Sequence, residues 1–273
     1  MILAFIAAGV GNVIRTKMIK HHFTLFFNIA VSISAACLTY AICFHLAEIF
    51  FHVSALHEAG YICSMLFIIP GFPFITSGID LAKLDLRSGL ERLSYSVIIV
   101  LVATMFAWIM ALLFHLKPMD FPPLKLSAGT LLLFRLITSF GGVFGFSIMF
   151  NSPRSIAAAA AFIGAIANTL RLELVDFVTI PPAAAAFIGA LTAGILASLL
   201  KNKLGYPRIS ITVPAIVIMV PGLYLYKAVY NLGIMSLTTS ASWFASAMLI
   251  IMALPLGLIF ARIITDKSFR YCT

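Results

Sequence analysis

The feature that most constrains this chain is a succession of apolar runs, each near the length that crosses a bilayer, separated by charged or Pro/Gly-rich breaks. Nine such runs can be delimited, at about 1–14, 23–47, 59–82, 93–115, 127–150, 155–170, 177–200, 208–231 and 240–264. A helix needs about twenty apolar residues to span the hydrocarbon core, fewer where the bilayer thins. The pattern predicts an all-α, polytopic integral membrane protein of about nine transmembrane helices. Composition agrees, with 62% of the 273 residues hydrophobic and 10% charged. A soluble domain carries roughly a quarter charged residues, so a water-soluble fold is excluded.

Charge then sets the orientation. With connections on alternating sides, Arg15, Lys17, Lys20, Lys83, Arg87, Arg92, Arg154, Lys201, Lys203, Arg208, Arg262, Lys267 and Arg270 fall on one side. Only Lys117, Lys125, Arg171 and Lys227 fall on the other, and Arg135 lies inside a span. Thirteen against four places the first side, and the C-terminus, in the cytoplasm of a cell (inner or plasma) membrane protein. An odd number of spans puts the N-terminus outside. The net charge of +9 is spread between apolar runs and forms no nucleic-acid-binding patch. The first run lacks a basic leader and a small-residue cleavage site, as expected of a retained helix. Cys37, Cys43, Cys63 and Cys272 are scattered, which implies neither a disulfide framework nor a metal site, and no cofactor is expected.

Short matches point to duplication. Asn12-Val13-Ile14-Arg15 recurs as Asn168-Thr169-Leu170-Arg171, 156 residues on, and Ile69-Pro70-Gly71 recurs as Val220-Pro221-Gly222, 151 residues on. Spans one to four then pair with spans six to nine, five spans apart, so each repeated helix points the opposite way in its second copy. The expected organisation is two inverted-topology repeats, 1–120 with four spans and 121–273 with five. The fifth span lacks a partner, which is expected to precede residue 1.

Spans three and eight each carry a Pro-Gly pair, with Pro73 and Pro214 nearby. Proline removes an N–H and clashes with the preceding turn, so both helices are predicted to break. In a membrane such breaks persist where protein or water satisfies the freed backbone groups. Two breaks on inverted helices predict one midplane site, where the half-helix starts offer N–H groups to a carboxylate. Arg135, as an ionisable residue deep in a span, is a candidate to pair with a substrate carboxylate or with an acid of the chain. Asp80 and Asp85, near the end of span three, are candidates to couple protons. His45, Glu48, His52, His57 and Glu58 gather at span ends, as an interfacial polar cluster or a metal or proton-sensing site. Gly141 and Gly145 form a GxxxG pair suited to close helix contact. An intramembrane enzyme finds no HExxH or GxSxG motif to support it.

The stretch PGFPFITSGIDLAKLDLRSGLERL, residues 70 to 93, resembles the signature region of the threonine/serine exporter family. FNSPRSIAAAAAFIGAIANTLR at 150 to 171 and VPAIVIMVPGLYLY at 213 to 226 resemble that family's companion module. The resemblance covers nearly the whole chain. It implies an inner-membrane exporter of small amino acids driven by protons, or, as in some split two-protein members, dicarboxylate export. By motif position it reaches Pro70, Gly71, Thr76, Asp80, Ser88, Gly89 and Arg92, then Pro153, Arg154, Gly164, Pro214, Pro221 and Gly222. Ser77 stands where an asparagine is usual, exchanging an amide for a hydroxyl, and Leu84 replaces a glycine before Asp85. By the same resemblance, the soluble N-terminal region and first span of full-length members are expected to be missing before residue 1.

Three readings stay open. In the first, an antiporter exports threonine or serine from a site shaped by Pro70, Gly71, Pro73, Thr76, Ser77, Arg135, Pro214, Pro221 and Gly222. The second is a dicarboxylate exporter. The third is a non-transporting subunit that needs a partner chain. Expected partners are a small amino acid or carboxylate, protons, the lipid bilayer, and a second copy or partner subunit.

Overall fold

A computed structural model describes residues 2–52, 57, 59–118, 126–266 and 269, with 201–204 as backbone only. Glu58, Cys272 and the cations Lys125, Lys267 and Arg270 lie outside the described residues, as do the side chains of Lys201 and Lys203. The described secondary structure is helical throughout: α1 (Ile2–Lys20), α2 (Leu25–Phe51), α3 (Gly60–Met65) continued by a 3-10 turn at Leu66–Ile68, α4 (Gly71–Ala82), α5 (Leu86–Leu113), α6 (Ala128–Met149), α7 (Arg154–Asp176), α8 (Pro182–Leu204), α9 (Ile209–Val217), α10 (Gly222–Gly233) and α11 (Leu237–Thr265).

Seven of these helices are long and apolar enough to cross a bilayer. Two further pairs pass that test only together, and each is bent at its proline: α3 with α4 by 55°, and α9 with α10 by 48°. Counting each bent pair as one span gives the expected nine, and the chain is a polytopic, multi-pass membrane protein. Helix ends run past the apolar runs. α1 continues through Arg15 and Lys17 to Lys20, α7 through Arg171 to Asp176, and α5 begins at Leu86 rather than 93. Arginine and lysine are good helix formers, and their long stems let a helix continue while the charge reaches the interface.

The chain forms two compact units, and they are interleaved rather than sequential. Unit 1 comprises 1–70, 94–124 and 222–245; unit 2 comprises 71–93, 125–221 and 246–273. The chain passes from the first to the second at Pro70/Gly71 and back at Pro221/Gly222, so both breaks coincide with a change of unit.

In unit 1, α1 packs on α2 and α3, and α10 on α3. In unit 2, α7 packs on α6, α8 and α9, and α4 on α9. The break glycines pack reciprocally. A Cβ on Gly71 would stand 2.5 Å from Val217 and 3.2 Å from Val220, within unit 2. One on Gly222 would stand 2.9 Å from Leu66 and 3.3 Å from Ile69, within unit 1. Gly71 and Gly222, Leu66 and Val217, and Ile69 and Val220 are each 151 apart, as are both ends of α4 and α10.

Elsewhere, small residues let backbones meet. A Cβ on Gly164 of α7 would lie 2.6 Å from the Ala215 carbonyl oxygen of α9. Gly141 and Gly145 do not act in this way. They face outward on α6 with nothing within 4 Å of an added Cβ, because α6 turns Val143 and Ser147 inward instead.

Candidate functional site

The signature stretch forms a helical hairpin in unit 2. Gly71 opens α4, and Thr76 and Ser77 are buried one turn later. Both hydroxyls donate back to their own helix, Thr76 to the Phe72 and Pro73 carbonyls at 3.1 and 3.3 Å and Ser77 to Phe74 at 2.9 Å. Their oxygen lone pairs are left to accept. Pro73 lies in the first turn, where its missing N–H costs no helical hydrogen bond. After α4, Leu84 takes a left-handed φ of 63°. Asp85 then caps α5, its carboxylate accepting from the Ser88 N–H at 3.3 Å. Asp80 and Arg92 close the hairpin with a 2.7 Å ion pair, and Gly89 leaves room for Leu81, whose side chain would be 2.7 Å from a Cβ there. Asp80, Asp85, Ser88, Gly89 and Arg92 thus come together as one folded unit.

The remaining unit 2 residues are separate from the hairpin. Pro153 is the N-cap of α7 and Arg154 its exposed first residue. Pro214 lies inside α9, next to the Ala215 carbonyl that Gly164 receives, and Pro221 is buried at the break. Arg135 of α6 is met by two acids of α7: Nη1 donates to Glu173 Oε1 at 2.8 Å, and Nη2 donates to Asp176. Its side chain is 12% exposed, so its charge is satisfied within the chain.

Unit 1 supplies a group that sequence reasoning missed. Lys227 was counted among the cations of an outer connection, yet α10 carries it into its second turn, where it is 6% exposed. Its ammonium lies 4.5 Å from the centroid of the Trp243 ring, which also meets Tyr224 edge-on at 5.2 Å. The preceding residue, Tyr226, shares a 2.7 Å hydrogen bond with Tyr61 of α3, and neither tyrosine has exposed surface. Arg135 is therefore not the sole ionisable residue deep in a span. The signal was available: Lys227 sat inside the eighth apolar run, where an ionisable residue is by default functional. Lys227 follows Gly222 by five residues, as Thr76 follows Gly71.

The histidine cluster is looser than expected. His45 Nδ1 lies 3.7 Å from Glu48, both well exposed, and His52 takes a left-handed conformation that ends α2. Among the described residues no three His, Cys, Asp or Glu side chains group so as to hold a metal.

Apolar helices combined with two interrupted spans that carry buried polar groups beyond the break occur in many membrane transport proteins. Two family models narrow this class. One, described as Threonine/Serine exporter, ThrE, matches residues 135–264, and a second threonine/serine exporter model matches residues 1–115. The chain belongs to the threonine/serine exporter family, a family of transporters rather than enzymes. No curated relative and no solved structure matches it.

Proposed function

We propose that this chain exports a small amino acid of the threonine/serine class across the cell membrane by alternating access, in exchange for protons, with its C-terminus in the cytoplasm. The family match across both modules carries the reading. The 151-residue reciprocity of the break contacts supports taking 1–120 and 121–273 as two inverted repeats.

Each break, within its own unit, presents groups suited to part of an amino acid. Pro70, Gly71, Pro221 and Gly222 free the half-helix starts, and Pro73 and Pro214 hold their shape. On α10, the positive helix end and the Lys227 ammonium receive the substrate carboxylate. Within unit 2, and taken by itself, α4 offers the Thr76 and Ser77 oxygens as acceptors suited to a hydroxyl or ammonium. Arg135 is already met by Glu173 and Asp176, which hold its guanidinium within unit 2. Asp80 carries the proton: protonation removes the negative end of the Asp80–Arg92 pair and loosens the hairpin that follows the first break. Asp85 is committed to capping α5.

A dicarboxylate would need a second cation, which separates that reading by substrate. The test is efflux of preloaded radiolabelled threonine, serine and succinate from cells expressing the chain, with and without a protonophore. Threonine or serine efflux that the protonophore slows is expected. Asp80→Asn should keep exchange of internal for external threonine while losing the protonophore-sensitive component. Efflux confined to succinate, or an Asp80→Asn protein with unchanged protonophore sensitivity, contradicts the assignment.

A further inference from the structure

Away from the breaks, unit 2 contains a cavity of about 450 Å³ at the end where α4 and α11 finish and α9 begins. Lys83, Arg208 and Arg262 line it against a single acid, Asp266, with Ser198 and Thr265 adding hydroxyls. Arg208 is fixed by neutral acceptors: Nη1 donates to Thr265 Oγ1 at 2.7 Å, and Nη2 donates to the Gly194 carbonyl. Asp266 lies 4.0 Å from Arg262 Nε, and Arg262 stacks on Phe269 at 4.2 Å. Lys83 has no acidic partner among the described residues. The described lining residues therefore carry two positive charges in excess.

Nothing within this lining offsets that excess. Burial first, and then the like charge of Arg262, push the Arg208 guanidinium below its ordinary range, with Asp266 opposing. Arg208 is also the N-cap residue of α9, where the helix dipole is itself positive. Arg208, a partly buried charge held in place by neutral groups and facing a second guanidinium, is stabilised by a counter-anion. Two guanidinium groups and an ammonium suit a tetrahedral oxyanion carrying up to two charges, while the Ser198 and Thr265 hydroxyls already donate to the Ile195 and Ala261 carbonyls. The volume leaves room for more than the ion alone, and basic pockets between membrane helices receive phosphate headgroups.

We propose that this cavity binds a phosphate group, supplied by an anionic lipid headgroup or by free phosphate. The site lies at the ends of α4 and α9 remote from the breaks and does not depend on which solute the protein moves. The purified full chain in detergent is titrated with inorganic phosphate, and separately with phosphatidylglycerol against phosphatidylcholine, reading bound mass by native mass spectrometry and the thermal midpoint.

Saturable binding of phosphate or of phosphatidylglycerol is expected, weakened about tenfold in Lys83→Gln and in Arg262→Gln, a loss on the scale of one charge-assisted hydrogen bond. Lys17→Gln, which removes an exposed cation outside the cavity, should bind as the unaltered chain does. Binding of both ligands identifies a site open to the free ion; binding of phosphatidylglycerol alone identifies a headgroup site. No saturable binding of either, unchanged binding in both cavity variants, or an equal loss in Lys17→Gln overturns the proposal.

Discussion

At the scale of single residues, the hairpin after the first break carries a strained position. Leu84 is 81% exposed and left-handed at φ 63°, a conformation that costs a side-chain-bearing residue about 1–2 kcal/mol and glycine almost nothing. The family resemblance places a glycine there. Leu84→Gly should raise stability by about 0.5–1 kcal/mol, after allowance for the freer unfolded chain, read as a higher thermal midpoint. Lys227 bears on function instead. A charge-assisted hydrogen bond to a carboxylate contributes about 1.5–3 kcal/mol, so Lys227→Gln should slow threonine efflux roughly tenfold or more at equal membrane abundance. Efflux at the unaltered rate would remove Lys227 from the site. Sequence pattern pointed to Pro70, Gly71, Pro221 and Gly222 because proline and glycine act on the local backbone. It missed Lys227 because charge counting places the residue in an outer connection although it sits inside the eighth apolar run, and Trp243, its ring partner, is 16 residues away. Arg135 was legible as an intramembrane charge, but Glu173 and Asp176, 38 and 41 residues away, emerge as its partners only when α6 lies along α7.

Among the elements, the close approach of α7 to α9 rests on one missing methyl group. Gly164→Ala would bring a Cβ to 2.6 Å from the Ala215 carbonyl oxygen. Backbone cannot rotate aside as a side chain can, so the helices must separate, at about 1–3 kcal/mol. Gly129→Ala, with nothing within 4 Å, should leave stability within about 0.5 kcal/mol. Thermal unfolding of the two variants in detergent separates these cases, and equal midpoints would refute the packing account. The nine apolar runs were readable because each must fill the bilayer from its own sequence. The helix ends at Lys20 and Asp176 were not, since arginine and lysine favour helix and interface alike. The outward face of Gly141 and Gly145 was equally hidden, because a GxxxG pattern marks a face that allows close approach without saying what approaches it.

At the scale of the whole molecule, the sequence halves and the compact units divide the chain differently. Duplication is a property of chain order, and local matches such as Ile69-Pro70-Gly71 with Val220-Pro221-Gly222 are what point to it. Compactness depends on which helices meet, and at each break the chain leaves one unit for the other, which no local pattern records. Orientation is open to a direct check at described positions. Cysteine introduced at Lys83 should label only from the cytoplasmic side, and at Lys117 only from outside; the opposite result would invert the topology. The most direct test of the central claim uses the purified chain alone in proteoliposomes loaded with radiolabelled threonine. Threonine release accelerated by an inwardly directed proton gradient, and slowed when the gradient is collapsed, is the predicted result. Release indifferent to the gradient, or none from protein shown to be folded and inserted, would contradict a self-sufficient proton-coupled exporter.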